Sequence, residues 1–447
     1  MRQMAASAGS GDGKALFQQW WSTLGEGPDE AVAAGLACPA PGSELRLPTL
    51  NAFPMLCDPY LAGMASMPDP LGETGRGPFL IIGAVNRVDL MPQDPHPRDC
   101  GEFRLVAAYD PNWPDWPEYQ PGERVQVFVN FEAVIPNTDG DPRLCRAIQS
   151  FWAGLSDSGG AAPSDSDVAD ALRRFFLVGG KLTEDGRLLD PGTPDEHAFT
   201  LQPAISAANL GGDELHERGQ VRTNTRTANG WVLRQFEFRD FGGIPRLVPV
   251  PTDGSPDASL FEENAPGAGE LAQLIRAKSG LLAPNINAFS FMPEPTGVEA
   301  TQWIIPLQGM PETRFAYGEI LGNEPRPFDP VRESIEALEA ESPGYRSPSI
   351  IKRLEVLSCA GCHRFVRGAK ADFVDDDGRP VRWPPSIRFT HILPELDDTG
   401  RYLISDALAC VLLPHRERRL RLVLDPAADP TPPQDPAASD RCRQYFE

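Results

Sequence analysis

Cys359, Cys362 and His363 stand together in the stretch LSCAGCHRF, residues 357 to 365. Two thiols separated by two residues, with an imidazole directly after the second, suit three kinds of chemistry. The thiols can add to the vinyl groups of haem while the histidine takes the iron as proximal ligand. As thiolates they can bind zinc beside the histidine, with His391 or Cys410 completing a tetrahedron. They can also form a reactive dithiol, which wants its first cysteine exposed at a helix N-terminus after a strand. With 8 Cys and 6 His in 447 residues, chance would give roughly 0.002 such matches, so the rivals are chemical, not statistical. The sequence holds no second C-x-x-C and no H-x₃₋₅-H, which a zinc site would bring. The motif also follows a run with helical spacing and not a strand, which disfavours the dithiol. Covalent haem c is the reading that remains in front.

A haem iron needs a sixth ligand or stands open. No methionine follows His363, the last two being Met292 and Met310. The downstream histidines are His391, in RFTHILPE, and His415, in LLPHRER. His391 lies in a short apolar stretch that suits an imidazole against a haem face, whereas His415 lies in a charged helix. His391 is therefore the expected partner of His363 on the metal.

On the motif CAGCH and its helical flanks, residues 331–447 resemble a c-type cytochrome module. The order NRVDL, CGEFRLV, GQVRTN, CAGCH, FTHI is similar to secreted bacterial proteins that pair a long N-terminal region with a C-x-x-C-H tail, a likeness that brings no activity with it. The resemblance implies a small helical fold around haem c held by Cys359 and Cys362, with His363 on the iron. It also implies a methionine as the common sixth ligand, from which this chain departs. The expected function is electron transfer by a secreted monohaem cytochrome to or from a redox partner protein. The alternative is a haem enzyme of peroxidase or oxidase type with an open iron. A weaker alternative is a disulfide-stapled extracellular binding protein without haem.

The elements that must position these residues are legible in part. Runs at PFLIIGAVNRVDLM, EFRLVAAY and RVQVFVNFEAVIP read as strands of one sheet between 78 and 136. DPRLCRAIQSFWAGL and SDSDVADALRRFFLV follow with helical spacing and Asp or Ser caps. Residues 219–241 read as a hairpin turning at Ala228-Asn229-Gly230, and 242–330, rich in Pro and Gly, as mostly irregular. DPVRESIEALEAE and SPSIIKRLEVLS are helical, a hairpin is expected on Asp377-Gly378, and a last helix spans about Ser405 to Leu424. The expected fold class is α+β: a flexible lead over 1–13, a β-rich scaffold or partner-recognition region over 14–330, and a mostly helical haem c-binding module over 331–447. Residues 346–424 hold 14 Lys and Arg against 10 Asp and Glu, a surplus of +4 in a chain of net charge −22.

That acidity excludes nucleic acid as an expected partner, because phosphate binding needs clustered cations. No run of 18 apolar residues is present, so no membrane-spanning helix is expected. The other six cysteines, Cys38, Cys57, Cys100, Cys145, Cys410 and Cys442, are even in number and lie beside Pro, Asp and Gly. They are expected as three disulfides in an oxidising compartment, periplasmic or extracellular, nearest-neighbour pairing being one of 15 connectivities. The opening MRQMAASAGSGDGKALFQQWW lacks the apolar core of a secretory signal, so export implies a trimmed chain.

Weaker constellations have plainer readings. Asn86, Arg87, Asp89, Glu102 and Arg104 cluster near strand ends, where an ion-pair network outweighs a binding site. Asp375, Asp376 and Asp377 lack the spaced oxygens of a calcium loop and read as a solvated hairpin tip. Trp113 and Trp116, spaced by prolines, suit loop edges as well as a stacked carbohydrate or peptide.

Overall fold

The computed structural model describes residues 1–23, 29–33, 37–40, 44, 49–57, 62–72, 77–113, 118–156, 163–211, 219–261, 265–277, 299–305, 329–341, 346–357, 373–374, 380–427 and 440–446, apart from single residues and dipeptides within these ranges. Its centre is an antiparallel meander. Strands β1 (Phe79–Arg87), β2 (Asp99–Tyr109), β3 (Gln126–Pro136), β4 (Gln220–Thr227), β5 (Gly230–Asp240) and β6 (Pro245–Val250) pair in chain order, and β7 (Trp303–Ile305) adds to β5 beside β6. The three runs expected as one sheet are β1 to β3, and the expected hairpin is β4 with β5, closing at Thr227↔Gly230. Residues Ala228 and Asn229 of its turn lie outside the described residues.

Alternation along the strands gives the sheet two apolar faces. On the first lie Phe103, Ala107, Val127, Val129, Val221, Phe236 and Phe238; on the second lie Val106, Ala108, Phe128, Trp231 and Leu233. An antiparallel sheet commonly leaves one face to water. Here both are covered.

The first face is covered from the N-terminal side of the chain. Helix α1 (Arg2–Ser7), where a flexible lead was expected, buries Met4 and Ala5 fully in this core. Helix α2 (Gly13–Ser22), capped by Asp12 through Ala15 N–H at 2.8 Å, packs Trp20 and Trp21 with ring centroids 4.9 Å apart. Its Gln19 donates to Leu247 O at 3.2 Å and accepts from Leu247 N–H at 2.8 Å, pairing backbone groups of β6, the edge strand. Helices α3 (Pro142–Gly154) and α4 (Asp165–Leu177) complete the layer, α4 with the reciprocal Ser164 and Asp167 cap.

The second face is covered from the other side of the chain. Helix α5 (Ala268–Ala277) supplies Leu271 and Ile275; α6 (Pro330–Glu341) supplies Val331, Ile335 and Leu338; α7 (Ser347–Leu357) supplies Ile350 and Leu354. The hairpin of β8 (Ile392–Leu396) and β9 (Tyr402–Ile404) adds Leu393, with Ile392 and Tyr402 alongside. Helix α8 (Leu413–Leu424), entered through a wide π-type turn at Leu408–Leu412, lies against α3 and the Val88–Leu90 turn. Residues before and after 330 thus share one core.

The fold is α+β with a β-rich N-terminal half, and three disulfides pair nearest neighbours: Cys38 with Cys57, Cys100 with Cys145, Cys410 with Cys442. Among the described residues, the stretch expected to be mostly irregular holds β6, α5 and β7, together with a short ladder of Thr252–Pro256 with Glu299–Ala300. Pro245 and Pro249 hid β6, and an edge strand tolerates them because a proline's missing N–H can face away from the ladder.

Because Ile335 is buried beneath the sheet shared by both parts, Ile335→Ala is expected to lower stability by about 2–5 kcal/mol. The near-ultraviolet signal of Trp20 and Trp21 on the opposite face should then disappear in the same transition as the rest of the chain. Two separated transitions, only one of them shifted, would refute the shared core.

Candidate functional site

Cys359, Cys362 and His363 lie outside the described residues, as do Asp375 to Asp377 and Trp116. What the structure describes is the frame on either side of the motif. Before it, α7 buries Ile350 and Leu354 under the sheet and carries Arg353, whose side chain is fully buried. After it, Phe373 takes the Arg353 guanidinium over its ring at 4.5 Å and meets Trp383 at 6.1 Å between centroids. A desolvated contact of this kind contributes about 2 kcal/mol. Phe373 also pairs with Val381 in the short ladder expected around the aspartate turn. The described residues that flank the motif, Ile350 to Leu354 before it and Phe373 after it, are therefore fixed to the protein interior.

His391 stands half-buried at the start of β8. Behind it, Ile392 packs against β1, where Gly83 leaves room: a β-carbon there would lie 3.4 Å from Ile392 Cδ1. The imidazole Nδ1 is 2.8 Å from Ser405 Oγ, and Ser405 N–H donates to His391 O at 2.9 Å. Ser405 is fully buried, and its Oγ also accepts from Leu408 N–H at 3.1 Å, capping the helical turn that follows. The next residue, Asp406, accepts from Tyr445 O–H at 2.6 Å and from Arg441 at 2.5 Å. Burial and the bond to Asp406 push the Tyr445 phenol above its ordinary range. Arg382 N–H donates to Tyr445 O at 2.8 Å, and Cys410–Cys442 closes the same tail. Cys410 is thus spent in a disulfide, which removes it as a fourth zinc ligand.

His415 occupies a different setting. It lies on α8 beside Asp89, Arg87, Arg416 and Arg419, and burial is the main cause that pushes its imidazole down to about 4. It is neutral at pH 7. The same corner holds the ion-pair network expected from the sequence. Arg87 Nη2 meets Asp89 at 2.8 Å, and Arg104 pairs with Glu102. Gly101, with φ of +90°, sits at the bulge of β2 that sets Glu102 opposite Arg87.

Three members of the network could not be read from the sequence. Glu132, 1 % exposed, takes Arg104 at 3.3 Å, Arg222 at 3.5 Å and Gln220 Nε2 at 2.8 Å. Arg416, from the far end of the chain, reaches Asp89 at 3.3 Å. Burial alone would raise the Asp89 and Glu132 carboxyls, but the surrounding guanidiniums outweigh it and hold both well below the usual carboxylate range. Four arginines against three carboxylates, all engaged, make a clamp and not an acid–base pair. Its signal was only the alternation that puts Arg104, Glu132 and Arg222 in register on the second face.

Among the described residues, no three His, Cys, Asp or Glu side chains come together as a metal site, and no helix is long and apolar enough to cross a membrane. Trp113 packs against the main core, as a loop-edge aromatic would. The three disulfides fit an oxidising compartment. No protein-family model matches the chain, and no curated protein or solved structure matches it.

The network predicts how stability depends on pH. The unfolded chain protonates His415 near 6.5, whereas the folded chain resists until about 4. Stability therefore falls as pH drops through that window, by up to about 3 kcal/mol, and Asp89 adds a further loss lower down, as its own depressed pKa is approached. His415→Gln should flatten the decline between about pH 6.5 and 4 in urea unfolding, leaving the steeper loss below. An unchanged slope in that window would mean that His415 is not buried as a neutral base.

Proposed function

We propose that this chain is a secreted monohaem c-type cytochrome that carries out electron transfer. The observation that carries the reading is the intact Cys359-Ala360-Gly361-Cys362-His363 sequence directly after a buried helix. Cys359 and Cys362 would hold haem c by thioether bonds, His363 would be its proximal ligand, and the group would supply one-electron chemistry at its iron. Residues 331–447 would form the haem-binding module, wrapped by α7 on one side and by the segment from Phe373 onward on the other.

The residues that are described fit such a group. Arg353 and Phe373, which flank the motif in sequence, are in contact with each other, and Phe373 meets Trp383. His391 is half-buried with Nδ1 hydrogen-bonded to Ser405 Oγ, and it would ligate through Nε2 in the tautomer that donates from Nδ1. With no methionine after His363, His363 and His391 as the two axial ligands would give a low-spin iron of lower potential than Met/His ligation. The disulfides support export to the periplasm or beyond, where covalent haem attachment takes place. The partner would be a redox protein. The surplus of +4 over residues 346–424 in an otherwise acidic chain favours a partner with an acidic docking face.

The full chain, matured with the c-haem machinery, should give a c-type pyridine haemochrome whose haem survives acid–acetone extraction. Cys359→Ser with Cys362→Ser should abolish the covalent bond. Extractable haem, or zinc in its place, would end this reading. His391→Ala should convert a low-spin spectrum to high-spin and let the iron bind cyanide and carbon monoxide. An unmodified protein already high-spin and ligand-reactive would point instead to the peroxidase-type enzyme. If His415→Ala alters the spectrum and His391→Ala does not, the ligand is reassigned and electron transfer stands.

A further inference from the structure

We propose that the Arg416 guanidinium, with Arg87 beside it, forms a binding site for a small organic carboxylate where α8 meets the Val88–Leu90 turn. The site is independent of the haem reading above.

An arginine carries five N–H donors in a rigid fork and cannot shed its charge, so a buried one has to find acceptors. The Arg416 side chain is only 11 % exposed. Among the described residues its one ion contact is Nε to Asp89 Oδ1 at 3.3 Å, and that Nε is buried without a hydrogen-bond partner. Asp89 is already committed elsewhere. Arg87 Nε lies 3.0 Å from each of its oxygens and Arg87 Nη2 lies 2.8 Å from Oδ2. One carboxylate thus stands between two guanidiniums, a local surplus of one positive charge.

The neighbouring groups do not cancel that surplus at Arg416. Glu102 pairs with Arg104, and Glu132 takes Arg104 and Arg222. On α8 itself, His415 is neutral at pH 7 and Arg419 is a further cation. Burial first, and then Arg87, pulls Arg416 down to about 9, with Asp89 and Glu102 acting the other way but too weakly to offset it. A clamp that served only to orient α8 would need one arginine on Asp89, not two.

Water could accept from the fork but would leave the charge uncompensated. A carboxylate does both, its two oxygens matching the paired N–H groups. A single negative charge suits a surplus of one, whereas Asp89 and Glu102 would repel a dianion. The rim favours an organic acid over an inorganic ion: Leu90, which follows Asp89, and Leu413, one helical turn before Arg416, are large apolar side chains left exposed.

Calorimetric titration of the full chain with sodium hexanoate at about pH 8 should show a single saturable site, filled more tightly than by acetate or by inorganic phosphate, which is a dianion there. Arg416→Lys, which keeps the charge and loses the fork, should weaken hexanoate binding about tenfold or more. Asp89→Asn should instead strengthen it by about threefold or more, because the competing carboxylate charge is gone. Arg421→Gln, which removes an exposed cation paired with Glu417 on the same helix, should change it by less than about twofold. Circular dichroism checks that each variant is folded. An unmodified chain that binds no hexanoate, or binds phosphate as tightly, overturns the proposal whether or not the variants fold. So does an Arg416→Lys chain with unchanged affinity, or an Asp89→Asn chain weakened as much as Arg416→Lys.

Discussion

A sheet with two apolar faces cannot be stable with one of them in water, and that constraint organises the molecule. Val106, Ala108, Phe128, Trp231 and Leu233 on the second face need covering as much as Phe103, Val129 and Phe236 do on the first. The N-terminal helices serve one side. The helices that lead to the C-A-G-C-H motif serve the other. At about 25 cal/mol per Å² of apolar surface removed from water, the strongest adhesive between the early and late parts of the chain is this buried layer and not the ions around it.

The ionic clamp adds orientation more than energy. Arg416 and Asp89 are each 11 % exposed, and a pair so buried gains in Coulomb attraction roughly what it loses in hydration. Breaking it is another matter, since a single buried charge without its partner is costly. The pair therefore says where α8 must lie, across the Val88–Leu90 turn, without supplying much of the reason that it docks. Glu132 plays the same part within the sheet, holding Arg104 and Arg222 over neighbouring strands where a slip by one residue would bury bare guanidiniums. The three disulfides act at short range along the chain. Of them, Cys100–Cys145 ties β2 to α3 and Cys410–Cys442 ties the last residues to the turn before α8.

Local structure was legible in the sequence wherever a local rule governs it. Period-two runs gave β1 to β3, the Asn-Gly turn gave β4 and β5, and Asp141, Ser164 and Asp329 marked helix starts that the structure keeps. Nearest-neighbour cysteine pairing was one possibility among many, and the packing selects it. What could not be read was sidedness. Nothing in Ile335 or Leu354 says that they lie beneath a strand some two hundred residues earlier, and a charge surplus at one end of a chain looks like a module whether or not it shares a core. Strand β6 was hidden for the opposite reason, since its prolines obey the edge rule and break the ladder rule. Of the site, the motif is purely sequential, Ser405 was visible only as a helix start, and its bond to His391 joins residues fourteen apart through a hairpin.

The shared core bears on what a haem-bearing segment can do here. A freestanding cytochrome module would have its own core and could turn relative to the rest of the chain. In this molecule α7, directly before Cys359, is packed under the same sheet whose edge strand β1 receives Ile392, the neighbour of His391. The described residues before and after the motif are thus held by one body of β-structure, through Ile350 and Leu354 on one side and Ile392 and Leu393 on the other. Around the proposed haem, such a frame would change little on oxidation or reduction, and a small structural change is what fast electron transfer asks of a site. On that proposal, the β-rich scaffold would be the wall against which both axial histidines are set.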